Sequence, residues 1–296
     1  MGLGIMAVLS AATIMGIMPS MQKQLMLDGL PTNSLLFLTN LVVSISTLLV
    51  ILFQKQSLKL TRSQAIQVTI MGLGGMGLTA FLVNTAYLHL PVGTVTMLHF
   101  LYPTVVCLVM GTLFKAGFSK LQIAAIVVSM AGMVLLAGQG GDLSAFGIVL
   151  AIASAFSYAF YMISNEKGPA NDLPLAVKLF YVSTAGTVFF GIYAGATGTL
   201  ALPATIGGIA QLVICSGLGT TVSFFLMMAG VRRLGASTSS FLSMAEPVVS
   251  VIFGTLWFRD PVTAAVVAGS VLVMSSVCFI TLDSARKNKK QPQPVQ

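Results

Sequence analysis

Residues 90–106, LPVGTVTMLHFLYPTVV, return in related form at residues 234–250, LGASTSSFLSMAEPVVS, which lie 144 positions further along the chain. Each stretch carries a proline after an apolar run, Pro103 in the first and Pro247 in the second. The same offset pairs identical residues elsewhere: Lys23 with Lys167, Asp28 with Asp172, Leu90 with Leu234, Leu98 with Leu242 and Phe114 with Phe258. The chain therefore contains two copies of one unit, and this repeat decides the expected architecture.

The composition is that of a membrane protein. Hydrophobic residues make up 56% of the 296-residue chain and charged residues only 7%. A soluble domain carries about a quarter charged residues, so this chain cannot cover a water-exposed surface. The net charge of +8 does not indicate nucleic-acid binding, because the cations lie between hydrophobic segments rather than in one basic patch. The lipid bilayer is therefore the expected surrounding.

Each copy holds five apolar segments of membrane-spanning length, since a bilayer core needs about 20 apolar residues per helix. Because five is odd, the second copy enters the bilayer upside down, as in many secondary transporters. The predicted fold class is an all-α integral membrane protein with ten transmembrane helices in two inverted five-helix repeats. The predicted helices 1–10 cover residues 3–27, 32–53, 65–88, 92–114, 121–138, 146–166, 175–197, 204–230, 236–258 and 262–282.

The domain organisation follows from the repeat. We predict a first five-helix repeat at residues 1–144, a second, inverted repeat at 145–284 and a disordered cytoplasmic tail at 285–296, which is polar and rich in Gln and Pro. Asp260-Pro261 has the pattern of an N-cap with proline at the first helical position, and it predicts the start of helix 10.

The cations are divided unequally between the two sides of the membrane. Thirteen of the 15 Lys and Arg residues lie on one side, and only Lys23 and Arg259 lie on the other. Cytoplasmic loops carry the excess of cations. We therefore predict that both termini are cytoplasmic and that the chain is a multi-pass protein of the inner or plasma membrane.

A family resemblance lies in predicted helices 4 and 9. Its motifs are Ala86-Tyr87, Leu90-Pro91-Val92-Gly93, Leu101-Tyr102-Pro103-Thr104-Val105-Val106, Leu234-Gly235-Ala236-Ser237 and Leu242-Ser243-Met244-Ala245-Glu246-Pro247-Val248-Val249. Together they resemble the EamA-type transporters of the drug/metabolite transporter superfamily. The resemblance implies two inverted bundles of five helices, a central cavity, alternating access and movement of small metabolites without ATP hydrolysis. The family often has a glutamate at the ends of helices 4 and 9, where this chain has Lys115 and Arg259-Asp260.

Glu246 is the one carboxylic acid at mid-membrane in the predicted helices, and it precedes the helix breaker Pro247. Its spacing from Ser239, Ser243 and Ser250 puts all four on one helix face. An ionisable residue at this depth is costly. It could be a counter-charge for a cationic substrate, a proton carrier, or a structural glutamate beside a kink.

Predicted helix 6 carries a second polar stripe of Ser154, Tyr158, Tyr161 and Asn165, spaced by 4, 3 and 4 residues. Aromatic faces with hydroxyl groups could hold an organic ligand, including a cation over a ring. The alternative is that the tyrosines bond neighbouring helices.

Predicted helix 4 offers His99 and Tyr102, which the repeat places opposite the polar face of predicted helix 9. His99 could equally serve as a hydrogen-bond partner within the bundle. Asn40 and Asn84 are weaker candidates, because polar residues commonly bond membrane helices together. No metal site and no cofactor are expected.

The sequence thus predicts a secondary active transporter for a small amine- or amino-acid-like metabolite, with protons as a candidate coupling ion. The alternative is a membrane-embedded permease subunit or scaffold that requires a partner. The sequence has no phosphate-binding loop and none of the hydrolase motifs, so an enzyme is not expected, and no oligomer is indicated. The candidate substrate site comprises Asn40, Asn84, His99, Tyr102, Tyr158, Tyr161, Asn165, Ser243 and Glu246.

Overall fold

A computed structural model describes residues 2–113, 118–137, 144–166, 168–234, 239, 242–243, 245–260 and 262–290. The described residues contain helices and no strand. The α-helices are α1 (Gly2–Leu27), α2 (Thr32–Phe53), α3 (Arg62–Ile70), α4 (Leu78–Tyr87), α5 (Val92–His99), α6 (Tyr102–Thr112), α7 (Lys120–Ala137), α8 (Ala145–Glu166), α9 (Leu175–Ala196), α10 (Ile206–Gln211), α11 (Gly219–Leu234), α12 (Ala245–Phe258) and α13 (Ala264–Lys290). Two π-helical segments, Met71–Gly77 and Leu212–Leu218, join α3 to α4 and α10 to α11.

Seven helical stretches are long and apolar enough to cross a membrane, which makes the chain a multi-pass membrane protein. They are Gly2–Leu27, Thr32–Phe53, Arg62–Tyr87, Val92–Thr112, Ala145–Asn165, Leu175–Ala196 and Ile206–Gly230. Three shorter apolar helices, Lys120–Leu135, Ala245–Phe258 and Ala264–Phe279, correspond to predicted helices 5, 9 and 10. That these three also cross the bilayer stays a prediction, and part of predicted helix 9 lies outside the described residues.

The π-helical segment Met71–Gly77 allows close contact with two other helices. A side-chain carbon at Gly72 would lie 2.7 Å from the carbonyl oxygen of Val182 in α9, and one at Gly75 would lie 2.8 Å from Cβ of Tyr161 in α8. Only glycine permits such a close approach at these two positions. The segment therefore brings the α3–α4 span directly against the helix that carries the tyrosine stripe.

The span predicted as one helix at residues 92–114 is interrupted at Phe100-Leu101, between α5 and α6. Pro103 explains the break, because it has no N–H to bond the carbonyl of His99 and its ring disfavours a continuous helix. His99 ends the first half and Tyr102 begins the second. Both candidate side chains are therefore placed by the break itself.

The predicted role of Asp260 as the N-cap of helix 10 is wrong. Thr263 caps α13, since its Oγ1 accepts a hydrogen bond from the N–H of Val266 at 3.2 Å. Asp260 instead accepts from the N–H of Val92 at 3.1 Å, so it caps α5 in the other half of the chain. Pro261 lies outside the described residues.

The last helix is longer than the sequence predicts. α13 runs through Lys290, so residues 285–290 are helical rather than the beginning of a disordered tail. No Gly or Pro occurs between Asp283 and Lys290, and cations in a last helical turn interact favourably with the helix dipole. Residues 291–296 lie outside the described residues.

Helices of the first half pack mainly against helices of the second. The most extensive contacts join α2 to α9, α7 to α13, α1 to α11 and α4 to α8, and α1 also packs on α12. α5 and α6 both pack on α8, and α5 also packs on α12. The two halves of the broken span are therefore enclosed by the helices that carry the tyrosines and Glu246.

Candidate functional site

Four rings from α5, α6 and α8 form one continuous group, here called the aromatic cluster: His99, Tyr102, Tyr158 and Tyr161. The ring centroids of Tyr102 and Tyr158 lie 4.7 Å apart, edge to face. His99 lies 5.2 Å from Tyr158 and 5.7 Å from Tyr102, while Tyr161 stacks on Tyr158 at 5.7 Å. These separations are typical of favourable aromatic pairs. The structure thus brings together candidates that lie on two separate membrane spans.

The imidazole of His99 is held by Ser154, a member of the stripe on α8. Nδ1 of His99 lies 2.9 Å from Oγ of Ser154, and that hydroxyl donates to the carbonyl of Ala151 at 2.6 Å. Because a serine hydroxyl has one proton, it accepts from Nδ1–H of His99. In the neutral imidazole this leaves Nε2 as a hydrogen-bond acceptor.

Glu246 brings a carboxyl group from α12 to the aromatic cluster. It is half-buried at the second residue of α12, and it interacts electrostatically with Tyr102 and Tyr158. It also interacts with Tyr87, a buried residue at the end of α4. Tyr87 follows the candidate Asn84 by three residues, a spacing that puts both on one face of α4.

The polar face of predicted helix 9 is only partly described. Ser239 is buried and Ser243 is half-buried, and Ser243 has an interaction partner. Ser250 is buried and shares a hydrogen bond of 2.9 Å with Thr96 of α5. At Ser250 this face therefore contacts another helix.

Asn165 lies one helical turn beyond Tyr161 and makes a different contact. Nζ of Lys178, in the first turn of α9, donates to Oδ1 of Asn165 at 2.7 Å and to the carbonyl of Asn171 at 3.4 Å. The structure thus joins Asn165 to a buried cation rather than to a ring of the aromatic cluster.

The two other asparagines sit at helix contacts. Nδ2 of Asn40 donates to the carbonyl of Leu36 at 2.8 Å, and its side chain fills the space that a side-chain carbon at Gly186 would need. Asn84 donates to the carbonyl of Ala80 at 2.9 Å, and its buried Oδ1 has no partner among the described residues. Asn40 therefore fits the packing alternative, whereas Asn84 keeps a free acceptor.

Tyr161 also contributes to packing between helices. It is buried in a small apolar group with Val68, Met71 and Val182, and its Cβ lies 2.8 Å from the place that a side-chain carbon at Gly75 would occupy. Part of the tyrosine stripe therefore supports the alternative that these side chains join neighbouring helices.

Three cavities lie at other places in the described part of the protein. One of about 390 Å³ adjoins Asp28 and Thr205, one of about 470 Å³ adjoins Asn33 and Tyr193, and a second one of about 390 Å³ adjoins Val105 and Phe160. No member of the aromatic cluster lines any of these three.

Metal-binding potential is low in the residues that the structure describes. They contain no group of three or more His, Cys, Asp or Glu side chains that could hold a metal ion. The chemistry available at the cluster is therefore hydrogen bonding, a carboxyl charge and ring faces.

Comparison with known proteins gives one family. The sequence profile of the EamA-like transporter family matches residues 2–138 and again residues 145–282. A solved crystal structure superposes on 94% of this chain and 99% of its own, with a TM-score of 0.63 and 19% sequence identity. At that identity the likeness concerns the fold alone.

Several relatives are named as transporters or exporters. The uncharacterized inner membrane transporter YicL of Salmonella typhimurium is 29% identical over 66% of this chain, and the match spans 65% of that protein's length, which is just under two thirds. A protein of Streptantibioticus cattleyicolor, named a probable terminal-alkyne amino-acid exporter, is 22% identical over 77% of this chain and 76% of its own.

Proposed function

Because the chain belongs to the EamA-like transporter family, we propose that it is a secondary active transporter of a small amine- or amino-acid-like metabolite. The position of Glu246 supports this class of cargo, because its carboxyl group interacts electrostatically with Tyr102 and Tyr158 of the aromatic cluster. An ammonium group would find a carboxylate, phenol oxygens and ring faces in one place. These groups attract a cation and repel an anion.

The histidine of the cluster supports the same class of cargo. With Nδ1 of His99 engaged by Ser154, Nε2 of the neutral ring can accept a hydrogen bond. An ammonium group carries several N–H donors, so a second acceptor beside Glu246 would fix its orientation. The name of the Streptantibioticus cattleyicolor relative refers to amino-acid export, which agrees with this cargo class.

Alternating access between two inverted repeats is the mechanism that we propose. Its support is that the family description matches the chain twice, at residues 2–138 and 145–282. The contact pattern also agrees, because α2 packs on α9 and α7 on α13, which would be corresponding helices of the two repeats. One π-helical segment lies in the third predicted helix of each repeat. Two halves of this kind can rock about a site at their interface.

Ligand binding to the purified chain tests the cargo. Thermal-shift measurements against primary amines, amino acids and nucleosides should show stabilisation by an amine or an amino acid, since a ligand that binds only the folded state raises its stability. Stabilisation by nucleosides or by organic anions alone would contradict the proposed cargo.

Reconstitution in liposomes tests transport by the chain alone. We expect the stabilising compound to enter or leave vesicles that contain no other protein and no ATP, at a rate that depends on a gradient of the compound or of protons. Movement only after a partner protein or ATP is added would instead favour a permease subunit.

A further inference from the structure

Two charged residues from distant parts of the chain hold the turn that starts the broken span. Nζ of Lys23, near the end of α1, donates to the carbonyl of Leu90 at 3.2 Å. Oδ2 of Asp260, just after α12, accepts from the N–H of Val92 at 3.1 Å. Between these two bonds lies Pro91, which has no N–H of its own. The polar groups on both sides of the proline are thus satisfied by opposite charges.

Further contacts tie the same three helix ends together. Lys23 lies over the ring of Phe258, the last residue of α12, at 5.0 Å from its centroid. Lys23 and Asp260 also attract each other electrostatically. At the adjacent positions, Nε1 of Trp257 donates to Oε1 of Gln24 at 3.3 Å. The ends of α1 and α12 and the beginning of α5 are therefore joined through polar side chains.

The backbone around Asp260 is shaped for this contact. Arg259 has a φ of 56°, a left-handed conformation that is unfavourable for a residue with a side chain. It lies directly after the last residue of α12. A side-chain carbon at Gly254 would lie 3.1 Å from Oδ2 of Asp260 and 3.5 Å from Cβ of Val92, so a glycine leaves room for the carboxylate.

The contacts of Lys23 and Asp260 lie at the beginning of α5, the helix that leads to the aromatic cluster. α5 leads from Val92 to His99, a distance of about 10 Å at the usual helical rise. Lys23 and Arg259 are the two cations that the sequence assigns to the side opposite the cation-rich one. The joined helix ends therefore cover the candidate site from the predicted outer face.

We propose that Lys23 and Asp260 are positioning residues that close the outer end of the transport pathway by clamping the Leu90–Val92 turn. This inference rests on the proposed function. A transporter that works by alternating access must open to the outside, and that opening must separate the ends of α1, α5 and α12. The residues act through the turn and do not touch the cargo. Loss of either charge should shift the population toward conformations that are open to the outside.

Access to a cysteine beneath the clamp tests the proposal. The reporter is Thr96→Cys in the full-length chain with Cys107, Cys215 and Cys278 replaced by alanine, because Thr96 faces Ser250 between the clamp and the cluster. A membrane-impermeant thiol reagent is added to either side of sided vesicles. We expect Lys23→Met or Asp260→Asn to raise labelling from the outer side about tenfold, and Lys23→Arg to leave it within about twofold of the reporter chain.

The outcomes separate a gate from a merely structural contact. An outer labelling rate in Lys23→Met and Asp260→Asn equal to that of the reporter chain would overturn the proposal, whatever happens to the melting temperature. The two substitutions remove opposite partners, so the second serves if the first does not fold. Labelling needs no cargo. If the variants show the labelling change while the reporter chain with its clamp intact transports nothing, the proposed function is refuted and the clamp remains as a contact that controls access from the outer side.

Discussion

At the scale of single residues, Glu246 is the side chain on which the proposed cargo depends most. A charged carboxylate at mid-membrane costs roughly 2.5–3.5 kcal/mol on insertion scales. A bound ammonium group or a proton would offset that cost. Its electrostatic interaction with Tyr102 and Tyr158 indicates that the carboxyl lies near the aromatic cluster, where either could reach it.

Glu246→Gln distinguishes these two roles. If the cargo is cationic, its affinity should fall by at least about tenfold, because a charge-assisted contact is lost. If Glu246 carries the coupling proton, binding should persist while transport loses its dependence on pH. Calorimetry and pH-jump uptake measure the two effects. Asp28→Asn is the matched control, since Asp28 lies at the α1–α2 turn and contacts Gln24. A variant that binds and transports like the parent at every pH would leave Glu246 a structural role only.

Tyr158 is the centre of the aromatic cluster, since its ring contacts Tyr102, Tyr161 and His99. We expect Tyr158→Ala to weaken cargo binding by about tenfold, the usual worth of an aromatic pair or a cation–π contact. Tyr193→Ala is the control, because Tyr193 stacks on Phe189 with 44% of its surface exposed. Equal affinities in the two variants would argue against a site at the cluster.

Sequence periodicity could predict the members of the cluster but not every partner. Spacings of three and four fix which helix face a residue occupies, so Ser154, Tyr158 and Tyr161 are found together. They do not fix what that face meets. Asn165 meets Lys178 of the following helix, and Asn40 enters the space left by Gly186. Such pairings depend on how helices distant in sequence align.

At the scale of helices, the π-helical segments and the break at Phe100-Leu101 are the features that the sequence pattern did not predict. The length of an apolar segment identifies a membrane span. A π-helical turn within the span does not change the number of apolar residues, so the sequence pattern carries no sign of it. Pro103 did give a signal for the break, since proline removes one helical bond. No sequence pattern indicates that Asp260 caps α5, because its partner Val92 lies in the other half of the chain.

Gly75→Ala tests the close contact of the π-helical segment with α8. The added carbon would lie 2.8 Å from Cβ of Tyr161, so we expect a loss of about 1–3 kcal/mol from overpacking and a lower melting temperature. Gly74→Ala is the control in the same segment, because its nearest neighbour would be 3.8 Å away. A Gly75→Ala protein as stable as the Gly74→Ala protein would contradict this packing.

At the scale of the whole molecule, the membrane spans follow from composition and length, because apolar segments have one favourable solvent. The relation between the two repeats does not follow in the same way. It depends on tertiary contacts such as those of α2 with α9, which the repeat in the sequence suggests but does not specify. Orientation rests on the cation distribution alone.

Paired cysteines test the orientation. Asp28→Cys lies between α1 and α2 and should react with an impermeant reagent in intact cells. Ser57→Cys lies between α2 and α3 and should react only after permeabilisation, because the predicted topology puts thirteen of the 15 cations on its side. The opposite pattern would place both termini outside.

The break between α5 and α6 also bears on how such a protein can diverge. The carbonyl end of one half-helix and the N–H end of the next meet at the cluster, between His99 and Tyr102, and each carries a partial charge from the backbone. This polarity comes from the backbone and depends on the break at Pro103, so it survives exchange of the other side chains around it. We expect that descendants of this chain could acquire new specificity by changing the surrounding rings and acids alone, while inheriting a dipolar anchor as long as Pro103 is kept.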